Sequence, residues 1–153
     1  MRTIIFAAAL LLSVAARAEA PPTFDNLAVK PDIAAKSAPV RLEGAESKRY
    51  ASMLREGARQ KVNFAGHYVL TSWGCGASCT MSAAIDAKTG AVAWLPFTVC
   101  CWDLDITEPL EFKIDSRLLV VHGSRDEKGG GTYFYEFDGK QFRLISAVEK
   151  PAK

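Results

Sequence analysis

The chain has 153 residues, of which 49% are hydrophobic and 24% are charged, and its formal net charge is +2. This length is the usual size of one domain and is sufficient to bury a core. The charges are scattered and lack the basic stripe of a nucleic-acid-binding protein, so we expect no nucleic acid as a partner.

The N-terminus has the three-part layout of a secretory signal peptide. An arginine gives a positive start, residues 4–14 form an apolar run, and small residues follow. The run has about 11 residues, too few for a membrane span, which needs roughly 20. One small-residue site ends at Ala20, but Pro21 would then follow the cut. We therefore predict that residues 1–18 are removed by cleavage after Ala18.

Export predicts a periplasmic or secreted protein in an oxidising compartment, where neighbouring thiols pair. The first cysteine after the signal is Cys75, so the cleavage site lacks the cysteine that would carry a lipid. We therefore expect no membrane anchor. Removal of Arg2 and Arg17 with the signal leaves 17 basic against 17 acidic side chains, a formally neutral mature chain.

Residues 19–42 are rich in alanine and proline and predict an extended arm, because proline fixes φ and lacks an N–H group. Residues 43–60 contain no proline and many helix formers. Within them, Tyr50, Leu54 and Ala58 are spaced by four and form one apolar stripe. This segment predicts one N-terminal helix that packs on a sheet.

The rest of the chain alternates between short strand-like segments and tight turns. The predicted strands, rich in β-branched, aromatic or alternating residues, are 68–73, 80–86, 91–95, 110–114, 117–122, 132–137 and 140–145. The last turn, at Gly139, is expected to place Tyr135 opposite Phe142, whereas the glycines 129–131 predict a flexible loop. Consecutive hairpins predict a mainly β domain over residues 43–153, an antiparallel meander of about seven strands arranged as a small barrel, a sandwich or a propeller-like blade.

Four cysteines, Cys75, Cys79, Cys100 and Cys101, are expected to form disulfides. The first two face each other across a hairpin tip, and the register of the next hairpin brings the other two to the same end. Adjacent residues of a strand point to opposite faces, and a bond between them would close a strained ring. We therefore expect at least one bridge from the Cys75/Cys79 loop to the Cys100–Cys101 pair.

A metal site is the alternative for these thiols. The Cys-x3-Cys spacing lies within the range for zinc, and His67 and His122 are available as further ligands. The oxidising compartment favours disulfides, and redox catalysis is disfavoured because the spacing is not Cys-x-x-Cys. We expect no metal and no cofactor.

Catalysis has few candidates in this sequence. Either histidine, His67 or His122, has the chemistry of a general base, and Asp103 and Asp105 would share a face as a carboxylate pair if they lay in a strand. The chain has no Gly-x-Ser-x-Gly, His-Glu-x-x-His or phosphate-loop motif. No residue is therefore assigned a catalytic role.

Three tryptophans, Trp73, Trp94 and Trp102, lie in or near the cysteine-rich part of the chain. They either pack on the core and the disulfides or form an aromatic recognition patch together with His67, since tryptophan is favoured at interfaces. The sequence leaves both interpretations open.

The stretches Asn-Phe-Ala-Gly-His-Tyr (63–68), Trp-Gly-Cys-Gly-Ala-Ser-Cys (73–79) and Asp-Ala-Lys-Thr-Gly (86–90) resemble a core shared by small exported bacterial proteins of unknown function. The resemblance covers about a fifth of the chain. It implies a bacterial, periplasmic origin and transfers no catalytic residue.

The braced loop and the nearby tryptophans favour a non-enzymatic protein-binding module of the inhibitor or immunity type, with a periplasmic or secreted protein as its partner. The alternatives are a small periplasmic hydrolase that uses His67 or His122, and an envelope protein with only a structural role. A hydrolase requires both histidines in one cleft with a carboxylate within hydrogen-bond reach.

Overall fold

The structure, a computed structural model, describes residues 20–33 and 37–150. The predicted signal peptide and its cleavage site lie outside these residues. Within them the protein is mainly β, as predicted: eight antiparallel strands form one open sheet, accompanied by two short helices. The strands are β1 (Tyr68–Gly76), β2 (Cys79–Asp86), β3 (Val92–Trp94), β4 (Val99–Cys100), β5 (Leu110–Phe112), β6 (Leu118–Arg125), β7 (Lys128–Phe137) and β8 (Phe142–Glu149).

All seven predicted strands are confirmed, and β4 is the strand that the sequence did not predict. It has two residues, too few to show any alternation. The prediction of a flexible loop at residues 129–131 is wrong, because these glycines lie in β7. A Cβ atom on Gly131 would lie 2.3 Å from the carbonyl oxygen of Val148. Glycine is needed there because β8 approaches closely.

The strand order divides the sheet into two halves. The hydrogen-bonded path runs β1-β2-β4-β6-β7-β8, with β3 beside β2 and β5 beside β6. The first half therefore contains β1 to β3, and the second half contains β5 to β8. Among the described strands, β4 alone pairs with both halves, with Cys79 and Thr80 on one side and Ser124 and Arg125 on the other.

The main core lies between the two halves of the sheet. It contains Leu70 from the first half and Leu119 and Tyr133 from the second, all of them buried. Phe64, in the segment before β1, is fully buried and stacks on Phe142 with ring centroids 6.2 Å apart. The sheet is therefore curled, with one face of each half turned towards a shared interior.

Each half also buries part of its outer face. The helices α1 (Gly44–Arg49) and α2 (Ala51–Gly57) cover the first half, where Leu54 is fully buried in a cluster with Val69. A 3₁₀ turn, Phe24–Leu27, covers the second half. Helices this short are not stable alone, so their docking on the sheet stabilises them.

The predicted helical segment, residues 43–60, is divided into α1 and α2 at Tyr50. This residue has φ −102° and ψ 24°, outside the helical region. Its ring lies 5.6 Å from the ring of Trp73 and 5.9 Å from that of Trp94. The break between the two helices thus coincides with a tertiary contact between aromatic rings. Helix propensity, which is a local property of the sequence, does not predict such a contact.

The proline-rich arm is tied to the second half of the sheet. The hydroxyl of Ser116 donates a hydrogen bond to the carbonyl oxygen of Phe24 at 2.8 Å, and the N–H of Val29 donates to the carbonyl oxygen of Asp115 at 2.8 Å. Ala28 also forms an isolated antiparallel bridge with Ser116. These bonds satisfy backbone groups that a proline-rich segment cannot pair within itself.

The last hairpin is shifted by two residues from the predicted register. Phe142 pairs with Phe137, and Tyr135 pairs with Leu144. The Oδ1 atom of Asp138 accepts hydrogen bonds from the backbone N–H groups two and three residues further on, each at 2.9 Å. This side-chain turn lengthens the loop, where the sequence predicted a two-residue turn.

Substitution of Leu54 by alanine should destabilise the protein by about 2–5 kcal/mol, because it leaves a cavity beneath α2. Met53, the preceding residue on the same helix, is 42% exposed and serves as the matched control. Met53→Ala should cost less than about 1 kcal/mol. Chemical denaturation followed by circular dichroism measures both free energies of unfolding. Equal losses would contradict the docking of α2 on the sheet.

Candidate functional site

Most of the residues that the sequence analysis named as candidates lie at one end of the sheet, which we term the cysteine end. It is formed by the β1–β2 tip (residues 75–79), the segment after β4 (residues 101–108) and the β6–β7 turn (residues 126–127). Backbone pairing brings these parts together, since Cys100 of β4 lies opposite Cys79 of β2.

The disulfide pattern differs from the expected one. Cys75 bonds to Cys79 across the tip, with Cα atoms 5.2 Å apart, and no bridge joins this loop to Cys100 or Cys101. Instead, the Sγ atoms of Cys100 and Cys101 lie 2.8 Å apart. The cause is the backbone of Cys101, which has a left-handed φ of +56°. Strand alternation ends there, so the two neighbouring side chains do not point to opposite faces.

Gly123 allows β4 to lie against β6. Its φ is +117°, and a Cβ atom at this position would lie 2.4 Å from the carbonyl oxygen of Cys100. Any side chain would therefore push the two strands apart in addition to straining the backbone. The close approach fixes the position of Cys100 and of the segment that follows it.

A cleft of about 590 Å³, termed here the β6 cleft, opens beside this junction. Residues 122–124 of β6, residues 101–103 with Ile106, residues 129–132 of β7 and residues 149–150 line it. Because the β7 segment begins with three glycines, it contributes almost no side-chain volume, and the space beside the strand stays open.

The two histidines do not share a cleft. His122 lies in the β6 cleft, with Nε2 2.5 Å from a carboxylate oxygen of Glu111 and Nδ1 3.2 Å from the hydroxyl of Thr132. Glu111 and Thr132 thus hold the imidazole ring through both of its nitrogens. His67 lines a separate cavity, with Nε2 3.7 Å from a carboxylate oxygen of Asp86. The arrangement that the hydrolase hypothesis requires is absent from the described residues.

The four residues of the expected recognition patch do not form one surface. Trp73 and Trp94 pack edge-to-face, 5.7 Å apart, on the outer face of the first half. Trp102 packs against the main core and lines the β6 cleft. His67 lies against the ring of Tyr68, 4.4 Å away, in the other cavity. For Trp73 and Trp94, the structure supports the interpretation of core packing.

Acidic and metal-ligating side chains are dispersed. Asp103 forms an ion pair with Lys150, and Asp105 is exposed. Within residues 20–33 and 37–150, no group of three or more histidine, cysteine, aspartate or glutamate side chains is placed to hold a metal ion. No helix in these ranges is long and apolar enough to cross a membrane.

Two residues in or next to the cysteine end were not predicted. Leu104 is flanked by two aspartates and is fully exposed. Arg125 lies over the ring of Tyr133, 3.8 Å from its centre, and donates a hydrogen bond to the hydroxyl of Tyr135 at 2.9 Å. For Leu104, the sequence did contain a signal: an apolar residue stands between two acidic residues, outside any predicted strand. The contacts of Arg125 cross between strands and leave no local pattern.

No protein-family model matches this chain, and no curated protein or solved structure matches it. The fold and the site therefore define its class: an antiparallel β-meander domain with a disulfide-closed tip beside an open cleft. The resemblance to small exported bacterial proteins stays a prediction.

Replacement of Gly123 by alanine should destabilise the protein by about 3 kcal/mol, because it adds a collision with β4 to the strain of a left-handed backbone. Gly44 is the matched control: it also has a positive φ, +78°, but nothing lies within 4 Å of a Cβ atom built there. Gly44→Ala should cost about 1 kcal/mol. Thermal and chemical unfolding measure the difference, and equal costs would argue against the close approach.

Proposed function

We propose that the protein is an exported bacterial binding module, periplasmic or secreted, that recognises another protein with its cysteine end. Inhibitors and immunity proteins act in this way. The observation that carries the proposal is the fully exposed Leu104, on a segment held beside the disulfide-closed tip. Residues 75–78 of the tip are exposed as well.

The loops of the cysteine end are held in place before any partner arrives. At the β6–β7 turn, a carboxylate oxygen of Asp126 accepts hydrogen bonds from the N–H and the hydroxyl of Thr98, at 2.8 and 3.2 Å. The ion pair between Asp103 and Lys150 ties the segment after β4 to the residue that follows β8. Ordered loops lose less conformational entropy on binding, which favours recognition by this surface.

The side chains of the cysteine end are better suited to binding a protein than to catalysing a reaction. An apolar side chain surrounded by charged groups matches the usual arrangement of an anchor with a polar rim. Leu104 is the anchor, and Asp103, Asp105 and Lys150 belong to the rim. His67 and His122 line separate cavities, which argues against a hydrolase that needs both histidines in one cleft.

Affinity capture tests the proposal. The immobilised mature protein is incubated at physiological salt with the exported proteins of the bacterium that encodes it, and bound proteins are identified by mass spectrometry. Leu104→Asp should weaken the binding of the captured partner about 30-fold, since loss of an apolar anchor costs about 2 kcal/mol. Met53→Asp, on α2 and outside the cysteine end, should leave the affinity unchanged.

Two results would overturn the proposal. One is the absence of any stoichiometric partner with the unaltered protein. The other is a partner whose affinity is the same for the unaltered protein and for Leu104→Asp, which would place the binding surface elsewhere.

A further inference from the structure

Two thiols lie in contact at the edge of the β6 cleft without being bonded. The Sγ atoms of Cys100 and Cys101 are 2.8 Å apart, and a disulfide bond needs them at about 2.0 Å. The other cysteines of the chain, Cys75 and Cys79, already bond to each other. The remaining partner of each thiol is therefore its neighbour in sequence.

The two thiols differ in access. Cys101 is exposed, whereas Cys100 is only 4% exposed. Burial first, and contact with Cys101 second, raise the pKa of the Cys100 thiol to about 11. At pH 8, about one Cys100 thiol in a thousand is then ionised, and the thiolate is the form that attacks a disulfide. Cys101 is therefore the sulfur that attacks first, and Cys100 the sulfur that reacts second.

We propose that Cys100 and Cys101 form a thiol–disulfide exchange site whose substrate is a small-molecule disulfide. The Cys101 thiolate attacks one sulfur of this disulfide, breaks its S–S bond and releases one thiol, which leaves a mixed disulfide on Cys101. Cys100 then loses its proton to solvent, attacks the Cys101 sulfur and releases the second thiol. The protein loses two hydrogen atoms, and the external disulfide gains them as two thiols.

The surroundings of the pair suit this chemistry. The β6 cleft, which Cys101 lines, has a volume of about 590 Å³, within the range of small-molecule sites. A disulfide between adjacent residues closes a strained ring, and strained disulfides are readily reduced again. The Cys100–Cys101 disulfide can therefore be transferred to another pair of thiols, unlike a disulfide that permanently stabilises the fold. The exchange takes place on the isolated chain and needs no protein partner.

Trypsin separates the two cysteine pairs, which makes the test direct. Cleavage after Lys61, Lys88 and Lys113 gives peptide 62–88, with Cys75 and Cys79, and peptide 89–113, with Cys100 and Cys101. The reduced mature protein is treated with glutathione disulfide, blocked with N-ethylmaleimide and digested without reductant.

Mass spectrometry should show peptide 89–113 lighter by two hydrogen atoms and free of N-ethylmaleimide. This internal form should be at least about tenfold more abundant than a form linked to peptide 62–88. Predominance of the linked form would overturn the inference, because it would show a bridge between the tip and the pair. So would N-ethylmaleimide on both cysteines of peptide 89–113 when peptide 62–88 is already closed.

Two serine variants test the order of attack. Cys100→Ser should trap one glutathione on Cys101, and Cys101→Ser should add glutathione to Cys100 at least about tenfold more slowly. Formation of the Cys75–Cys79 disulfide in peptide 62–88, to the same extent as in the unaltered protein, shows that each variant is folded. If either variant fails to close it, alkylation of the reduced, unaltered protein gives the same information, since Cys101 should react before Cys100. Equal or reversed rates would refute the assigned order.

Discussion

The pairing of Val99 and Cys100 between β2 and β6 is the interaction on which the rest of the structure depends. Among the strands of the described residues, only this two-residue β4 pairs with both halves of the sheet. The main core also joins the halves, but hydrophobic contacts are non-directional and do not set a register. Backbone hydrogen bonds do set one, because a slip of one residue turns every side chain to the other face. The core thus supplies the free energy of association, and β4 supplies the alignment.

The same pairing creates the candidate site. Because Cys100 stands between Cys79 and Ser124, the disulfide-closed tip, the segment after β4 and the β6 cleft share one end of the sheet. Gly123 permits the approach of the strands, and the left-handed backbone of Cys101 ends β4 and turns its thiol towards that of its neighbour. The exposed Leu104 and the thiols of Cys100 and Cys101 consequently lie next to strands that are held by backbone pairing. This arrangement suits recognition of a protein and thiol–disulfide exchange.

Local patterns predicted the strands because alternation and glycine-containing turns are properties of neighbouring residues. The differences arise from features that strand alternation and turn glycines do not report. The rule that neighbours in a strand face opposite ways fails at Cys101, which leaves the extended region. The last hairpin is shifted because the side chain of Asp138 binds backbone N–H groups. Trp73 and Trp94 pair beneath helices whose docking no strand pattern could indicate.

Amide hydrogen exchange of Val99 and Cys100 tests most directly whether β4 joins the two halves. Both amides should be protected as strongly as that of Val121 in β6, because Val99 and Cys100 lie between two paired strands. Leu104 and Asp105, which are exposed and lie outside any strand, give the unprotected rate in the same sample. Exchange of Val99 and Cys100 at that unprotected rate, with Val121 still protected, would contradict the account.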